Sequence, residues 1–351
     1  MEQKQLWDNA EELRKEGNYA EAMKLLEALE AERPAASITW RKLHCLRKLK
    51  KFEEAASIAK GLVEAGCSHE QTRREMVWLM YEMVVKPAID KDEPNQILSG
   101  TQRMITLGAD GIALRVAVLA AMAAAIELKK FEKVLRLANL INSDELPIEP
   151  RVMLGKKLPS WRELFFFRLL RGLRSLEKWE DMRLLAIRAS EEFPRRREFA
   201  RQGALALFQT DPPAGLCEME KLAGHPRAPW YFATDVAERL AESERPGKAW
   251  VWACRAALRH GDDQVKVQLY ALMATLAVRL GRIDEGVSHA ALALAIRKSE
   301  GWPPSNALVE LLQAHAIGVK IDTDITLLRL KCVDVWQKTD LQQLQTLSVG
   351  M

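Results

Sequence analysis

The stretch LKKFEEAASIAKGL, residues 49–62, returns in altered form as LKKFEKVLRLANLI at residues 128–141. Looser copies are EGNYAEAMKLLEAL at 16–29 and LGRIDEGVSHAALAL at 280–294. Each copy places a bulky residue after a short polar turn and then small or apolar residues three, seven and ten positions later. That spacing is typical of one face of an amphipathic helix. The recurrence therefore predicts a chain built from repeated helical units.

Six such registers can be followed along the chain, each beginning at a bulky anchor residue. The anchors are Tyr19, Phe52, Phe131, Trp179, Pro246 and Ile283. The positions nine and six residues before each anchor are apolar as well, which predicts a second helix before the turn. Only Pro246 and Gly286 break the apolar pattern. One helix pair cannot bury its own apolar face, so neighbouring pairs are expected to stack.

This pattern resembles the tetratricopeptide repeat (TPR), a unit of about 34 residues with small residues at the helix crossing and often a closing proline. The best-matching residues are Gly17, Tyr19, Ala22 and Pro34 in the first unit and Trp179, Ala186, Ala189 and Pro194 in the fifth. The resemblance implies an all-α fold, a TPR-like α-solenoid of stacked antiparallel helix pairs in a right-handed superhelix. Wide gaps near 73–107 and 195–225 are each predicted to hold a degenerate pair, giving about eight pairs over residues 3–300. Two departures are the missing proline in the second and last units and Pro246 in place of an aromatic anchor.

Proline-rich segments suggest how the chain is divided. KPAIDKDEPNQ at 86–96 is predicted to be a loop between helices. The segment 147–160 contains three prolines and is predicted to connect an N-terminal array, 1–146, to a C-terminal array, 161–300. The repeat stops after GWPPSN at 301–306, and two helices, 307–320 and 325–347, are expected in the remainder, 301–351. They could form a cap over the last repeat or offer an amphipathic helix to a partner.

The composition favours a folded, cytoplasmic protein. Hydrophobic residues make up 48% of the chain, and the net charge of +4 permits contact with nucleic acid without demanding it. The N-terminus lacks the apolar core of a signal peptide, and no apolar run is long enough to span a membrane. The cysteines are scattered without a CxxC pair, which favours reduced, buried thiols over disulfides. They are Cys45, Cys67, Cys217, Cys254 and Cys332.

The sequence shows no pattern of catalytic residues. The six histidines have no metal-ligand spacing, and glycine-rich phosphate loops and the GxSxG turn of hydrolases are missing. Ser57 and Lys60 form an SxxK pattern by chance, because the partner motifs of that chemistry do not occur. We therefore expect a protein that is not an enzyme and that uses no cofactor, no metal and no small-molecule substrate.

The candidate site residues lie on the first helix of each pair. In TPR arrays the free face of these helices lines a concave groove, and the resemblance places that face four to twelve residues before each anchor. The predicted groove residues are Trp7, Arg14, Lys15, Trp40, His44, Arg47, Lys48, Arg74, Trp78, Tyr81, Phe167, Arg171 and Arg174. They are aromatic and basic, and tryptophan and arginine are frequent in binding hot spots.

Two kinds of partner fit such a groove. The first is another protein, which would present an acidic peptide or helix with apolar anchors and make this chain an adaptor in a multiprotein complex. The second is RNA or single-stranded nucleic acid, with arginines on phosphates and aromatic rings stacked on bases, alone or in a nucleoprotein complex. A structural alternative remains open, in which Trp7 and Trp40 pack between repeats and the cations are simply solvated.

Overall fold

The computed structural model describes the backbone of residues 3–66, 69–316 and 324–349 and the side chains through residue 341. Its contacts group the chain into two compact units, Met1–Lys178 and Trp179–Met351. This division falls one helix beyond the proline-rich connector 147–160, so the domain boundaries drawn from the sequence stay a prediction.

The first unit consists of helices and one short hairpin. Its α-helices are α1 (Gln3–Glu16), α2 (Tyr19–Glu32), α3 (Ala36–Lys48), α4 (Phe52–Glu64), α5 (Glu70–Met80), α6 (Lys86–Asp90), α7 (Pro94–Thr106), α8 (Gly111–Glu127), α9 (Phe131–Ala138) and α10 (Trp161–Ser175). A π-helical turn, Tyr81–Val85, joins α5 to α6, and Ser143–Glu145 forms a 3₁₀ turn. The strands β1 (Arg151–Met153) and β2 (Lys156–Leu158) pair antiparallel, with Arg151 opposite Leu158.

The second unit is helical throughout its described residues. Its α-helices are α11 (Trp179–Glu192), α12 (Arg197–Thr210), α13 (Pro212–Gly224), α14 (Trp230–Glu242), α15 (Pro246–Leu258), α16 (Val267–Arg279), α17 (Ile283–Ser299), α18 (Asn306–His315) and α19 (Ile325–Val349). A 3₁₀ turn, Asp263–Lys266, precedes α16.

All six anchors mark the same local structure, because each is the first residue of a helix. The residue two positions before every anchor has a positive φ and closes the preceding helix in the left-handed conformation. These residues are Gly17, Lys50, Lys129, Glu177, Glu244 and Gly281. Gly17 and Gly281 are predicted from the sequence, since glycine is the usual residue at this position. The other four show that the turn geometry is imposed by packing of the two helices even where a side chain makes it unfavourable.

The core confirms the predicted register. Every anchor and step position is buried or half-buried, and Ala22, Ala55 and Ala186 at the helix crossings are fully enclosed. Within each unit, most helices contact the next helix along the chain, for example α1 with α2, α2 with α3 and α11 with α12. The two degenerate pairs are present as α5 with α7 and α12 with α13. The all-α solenoid fold is therefore confirmed, as a series of stacked helix pairs.

The predicted loop at 86–96 is wrong for most of its length. Residues 86–90 form α6, and α7 begins at Pro94, so three residues, 91–93, stay outside helices. Pro94 is the first residue of α7, where a missing N–H leaves no hydrogen bond unmade, and Pro87 lies in the first turn of α6, directly after the π-helical turn. The connector 147–160 likewise contains the β1–β2 hairpin, whose turn at Leu154 and Gly155 has positive φ at both residues.

The C-terminal helix α19 packs along α15 and α17, and α18 packs on α17. Among the described side chains of α19, the buried ones are Leu328, Cys332, Trp336 and Thr339. The sequence predicts an apolar stripe of Ile325, Leu328, Cys332 and Val335, continued by Leu341, Leu344 and Leu347. Leu328 and Cys332 are buried as this stripe requires, but it misses Trp336, and Leu341 is exposed. Residues 317–320 of the first predicted helix, and the side chains of Leu344 and Leu347, lie outside the described part of the chain. Helix α19 therefore covers the side that α15 and α17 share.

Candidate partner-binding face

The first helices α1, α3 and α5 carry a connected set of aromatic, basic and acidic side chains, called here the first-helix face. At its start, Arg41 of α3 lies on both Trp7 of α1 and Trp40 of α3. The Arg41 Cζ atom is 4.3 Å from the Trp7 ring centroid and 4.2 Å from that of Trp40. Its Nη1 also donates to the Ser37 carbonyl at 2.7 Å. These contacts hold the guanidinium in one orientation against two indole rings.

Glu11 of α1 balances the positive charge of the arginines at this end of the face. It accepts hydrogen bonds from Arg41 Nε and, at 3.0 Å, from Arg14 Nε. Partial burial raises the pKa of Glu11, but the hydrogen bonds and charges of the two arginines outweigh it and lower that pKa from 4.5 to about 2. Arg14 in turn lies 5.3 Å from the Trp40 ring centroid. The two arginines and one carboxylate therefore form a fixed polar unit around the tryptophans.

A second polar unit connects α3 to α5 and the π-helical turn. Arg47 is only 6% exposed and donates to Glu75 Oε2 at 3.1 Å and to Glu82 Oε1 at 2.5 Å. His44 Nδ1 lies 3.0 Å from the other oxygen of Glu75. Although burial raises the pKa of Glu75, its hydrogen bond with His44 and the charge of Arg47 lower it below its usual value. Arg47 is buried and its partners are half-buried, and their pairing fixes the orientation of three helical segments.

Aromatic rings border this second unit. Tyr19 contacts His44 edge to face at a centroid distance of 5.8 Å, and Trp78 contacts Tyr81 in the same way at 5.8 Å. Arg47 Cζ lies 6.0 Å from the Trp78 ring centroid. Trp78 and Tyr81 are half-buried and so present part of each ring to solvent. Both polar units include residues of α3, so the first-helix face extends from α1 through α3 to α5.

The structure brings together seven of the residues that the sequence singles out. These are Trp7, Arg14, Trp40, His44, Arg47, Trp78 and Tyr81. Lys15 and Lys48 are exposed in the last turns of α1 and α3, and Arg74 is exposed and pairs with Glu70 and Asp110.

The three predicted residues of α10 lie elsewhere in the first unit. Phe167 is half-buried, and Arg171 and Arg174 are exposed, on a helix that contacts α8 and α9. They stay predicted binding residues, on a helix that does not belong to the first-helix face. Their neighbour Arg168 donates to the Leu119 carbonyl at 2.7 Å, and burial lowers its pKa to about 10.

The charge of the face differs from the basic surface that the sequence predicts. Glu11, Glu75 and Glu82 pair with the arginines locally, and these acids, like Arg41, are not among the predicted binding residues. The missed signal is spacing, because Glu11 and Arg41 are 30 residues apart and His44 and Glu75 are 31 apart, close to one repeat length. Opposite charges one repeat apart on first helices meet on neighbouring turns of the array.

The second unit contains a smaller set of the same kind. Arg201 of α12 pairs with Asp235 of α14 and lies 5.0 Å from the ring centroid of Tyr231. The Tyr231 hydroxyl donates to Glu198 at 3.0 Å, and burial together with the Glu198 charge raises the pKa of Tyr231 to about 12. An arginine–acid pair with a neighbouring aromatic ring therefore recurs between first helices in both units.

Metal ligands, membrane-spanning helices and cysteines are the remaining features that bear on the kind of site. No group of three or more His, Cys, Asp and Glu residues in 3–66, 69–316 and 324–349 is placed to hold a metal ion. Among the helices described, none is long and apolar enough to cross a membrane. Cys45, Cys254 and Cys332 are buried as predicted, whereas Cys217 is exposed, and Cys67 is outside the described residues.

No protein-family model and no curated protein sequence matches the chain. It is similar to the solved structure of a tetratricopeptide repeat protein from Parabacteroides merdae, with 11% identity, a TM-score of 0.36, and coverage of 79% of this chain and 98% of that one. It is also similar to the human IFIT1 dimer with PPP-AAAA, with 12% identity, a TM-score of 0.45, and coverage of 97% and 82%. A third is the TPR2AB-domain:pHSP90 complex of yeast Sti1, with 11% identity, a TM-score of 0.32, and coverage of 90% and 98%. At these identities the likeness concerns the fold alone.

Proposed function

We propose that the protein is a non-catalytic scaffold or adaptor that binds a segment of another protein on the first-helix face. The observation that carries this proposal is the Trp7–Arg41–Trp40 stack held by Glu11. Large aromatic rings and arginines contribute most of the binding energy at protein interfaces, and fixing them in advance reduces the entropy lost on binding. Repeat arrays offer extended surfaces of this kind without any catalytic residue.

The same geometry favours a protein over a nucleic acid. The Arg41 guanidinium occupies one face of Trp7 and one face of Trp40, so these two faces are closed to a stacking base. Glu11, Glu75 and Glu82 place carboxylates among the arginines, and carboxylates repel phosphates. Nucleic-acid binding is therefore the less favoured alternative, and the nuclease treatment described below detects it.

The chemistry of the partner follows from what the face leaves exposed. The half-buried rings of Trp7, Trp40 and Trp78 would accept apolar side chains. Lys15 and Lys48 at the helix ends have no ion pair within the described residues and would attract acidic side chains of the partner. We therefore infer a segment that combines apolar anchors with acidic flanks, presented by another subunit of a multiprotein complex.

The test starts with recovery of the tagged protein from its native cells, with and without nuclease, and identification of what co-purifies. The partner is then purified, and its affinity is measured for the parent, for Trp40→Ala and for the charge reversal Lys48→Glu. We expect Trp40→Ala to weaken binding by about tenfold or more. Trp302→Ala, which removes a tryptophan 40% exposed in the second unit, is the matched control and should bind as the parent does.

Two results would overturn the proposal. A partner that disappears with nuclease treatment would assign the face to nucleic acid. A partner that binds Trp40→Ala and Lys48→Glu as tightly as the parent would place its site elsewhere. Circular dichroism melting of each variant shows whether the fold is retained, and the exposed Lys48 provides a variant that leaves the core untouched.

A further inference from the structure

An open cavity of about 430 Å³ lies between α4 and α7, with α5 and the π-helical turn as its floor, and is called here the α4/α7 groove. Its floor is formed by Met76, Leu79, Met80, Met83 and Val84. Its volume falls in the range of ligand and peptide sites. Methionine side chains adapt to irregular apolar partners, and surfaces rich in methionine are used for binding helices.

The rim of the α4/α7 groove carries two cations. Lys60 of α4 and Arg103 of α7 both line the cavity and are exposed. Lys60 approaches Glu64 at 3.9 Å, and Arg103 has no acidic partner among the described residues. An occupant with an apolar body and acidic flanks would therefore match the floor and the rim together.

The repeat register shows which other part of the chain is built in the same way. The α4 residues in the groove stand four, seven, eight and eleven positions after the anchor Phe52. They are Ala56, Ala59, Lys60 and Val63. The same steps after the anchor Pro246 of α15 give Trp250, Ala253, Cys254 and Ala257, which are all buried. These residues of α15 belong to the groove between α15 and α17 that α19 fills.

The way α19 fills its groove shows what such a groove accepts. Trp336 of α19 stacks on Tyr270 of α16, the floor helix, at a centroid distance of 5.6 Å. Its Nε1 donates to His289 Nε2 of α17 at 2.8 Å, and Trp250 Nε1 of α15 donates to Thr339 of α19 at 3.3 Å. An amphipathic helix therefore lies between two second helices, with its bulky residue on the first helix beneath them.

The π-helical turn adapts the α4/α7 groove further. Met83 and Val84 of this turn line the cavity, and α7 approaches the turn at Gly100, where an added Cβ would lie 2.8 Å from Val85. A π-helical turn interrupts the regular hydrogen bonding of a helix and is frequent at functional sites. The interruption therefore lies within the floor of the groove.

We propose that the α4/α7 groove binds an amphipathic helix of a partner protein, with apolar residues at i, i+4 and i+8 on the methionine floor and acidic residues facing Lys60 and Arg103. This surface is separate from the first-helix face, so the two proposals can fail independently. The corresponding groove between α11 and α13, a cavity of about 450 Å³, has Arg183, Glu191, Glu218 and Lys221 in its lining. Charges of both signs make it a poor host for an apolar stripe, and it serves as the internal control.

The test uses the full chain and two fluorescein-labelled synthetic helical peptides, in which leucines at i, i+4, i+8 and i+11 are flanked either by glutamates or by lysines. Binding is followed by fluorescence anisotropy at low ionic strength. We expect the glutamate peptide to bind in the micromolar range and the lysine peptide at least about tenfold more weakly. Protection from hydrogen exchange is expected in α7 and around the floor methionines.

Matched variants locate the binding site. Val63→Asp places a charge at an exposed position of the groove, and Lys60→Glu with Arg103→Glu reverses the rim. We expect each to weaken the glutamate peptide by at least about tenfold. Ser190→Asp makes the same change at the position of the α11/α13 groove that corresponds to Val63, and it should have no effect.

Three results would overturn the proposal. One is the absence of binding by the glutamate peptide at millimolar concentration. Another is binding that Val63→Asp leaves unchanged, since the peptide would then occupy another surface. The third is self-association of the parent, measured by sedimentation, that Val63→Asp abolishes, because the groove would then be an interface between two copies of this chain.

Discussion

The α4/α7 groove and the groove between α15 and α17 have the same position in the repeat, and one is open while the other is filled. The difference can be traced to single residues at equivalent steps. Lys60 is exposed at the rim of the open groove, and its counterpart Cys254 is fully enclosed under α19. Ala56 is replaced by Trp250, which contacts α19 through its indole N–H. A repeat register therefore creates a helix-sized channel, and the residues at these steps determine whether the chain covers it.

Removing the main apolar group of the filled groove should have the largest effect. Trp336 is 1% exposed and contacts both Tyr270 and His289. Trp336→Ala leaves a large cavity and deprives His289 of its donor, so we expect a loss of about 3–5 kcal/mol in the free energy of unfolding. Urea denaturation followed by circular dichroism measures it. Leu341→Ala, at a residue of α19 that is 59% exposed, should stay within about 0.5 kcal/mol of the parent.

Equal stabilities of Trp336→Ala and Leu341→Ala would show that α19 is not bound in the groove in solution. Hydrogen exchange in the first unit offers a second check, since α4 and α7 should exchange alike in the parent and in both variants.

Lowering the pH should reduce the stability of the protein through His289, which contacts α19 in the filled groove. Complete burial lowers the pKa of His289 from 6.5 to about 4, while its Nδ1 donates to the Glu285 carbonyl and its Nε2 accepts from Trp336. In the unfolded chain, His289 therefore binds a proton below pH 6.5, whereas in the folded chain it stays neutral until about pH 4. The contribution of neutral His289 to the free energy of unfolding is fully present above pH 6.5. It falls by about 3 kcal/mol as the pH decreases from 6.5 to 4.

Urea midpoints measured between pH 7.5 and 4 test this dependence, with His289→Gln as the comparison. Carboxylates titrate in both proteins, so the difference between the two curves isolates His289. A parent curve parallel to that of His289→Gln over this range would contradict the buried, neutral histidine.

An alanine-to-leucine substitution at equivalent residues should lower the stability in the filled groove and leave it almost unchanged in the open one. Ala253 of α15 is fully enclosed, whereas Ala59 lines the open cavity. Ala253→Leu should cost about 1–3 kcal/mol through overpacking. Ala59→Leu has room to extend into the α4/α7 groove and should change the stability by less than about 0.5 kcal/mol. Similar losses in the two variants, measured by thermal melting, would mean that α4 and α7 close the cavity in solution.

Much of the fold follows from the sequence because the repeat is local. Each anchor, from Tyr19 to Ile283, begins a helix, since its spacing is set by contacts within one pair. The turns at Lys50 and Lys129 are less visible, because packing rather than glycine imposes their positive φ. The π-helical turn after α5 has no pattern that a helical periodicity would reveal.

The candidate site is predictable in its aromatic and basic side chains but not in its ion pairs. Trp7 and Trp40 stand at the same step before the anchors Tyr19 and Phe52, so their common face can be read from one repeat at a time. The ion pairs of Arg41 with Glu11 and of Arg47 with Glu75 join helices about one repeat apart. Their partners depend on how repeats stack, which the pattern of a single repeat does not contain. Trp336 was missed for the same reason, because its groove is formed by two other pairs.

The smallest effect is expected from the charged contact at the edge of the filled groove. Arg329 of α19 pairs with Asp263 at 2.9 Å, but its side chain is 47% exposed. Solvent screens such a pair, so Arg329→Ala should cost less than about 1 kcal/mol, and the cost should shrink further in high salt. Lys338→Ala, which removes an exposed pair within α19 itself, is the control measured beside it by urea denaturation.

A loss from Arg329→Ala as large as that from Trp336→Ala would change the comparison between the grooves. It would mean that α19 is held by the charge at the edge of its groove more than by the apolar stripe within it. By analogy, Lys60 and Arg103 would then contribute more to helix binding in the α4/α7 groove than its methionine floor does. The expected order, with Trp336 far above Arg329, instead makes the apolar stripe the main determinant of helix binding and leaves the rim charges to select among helices.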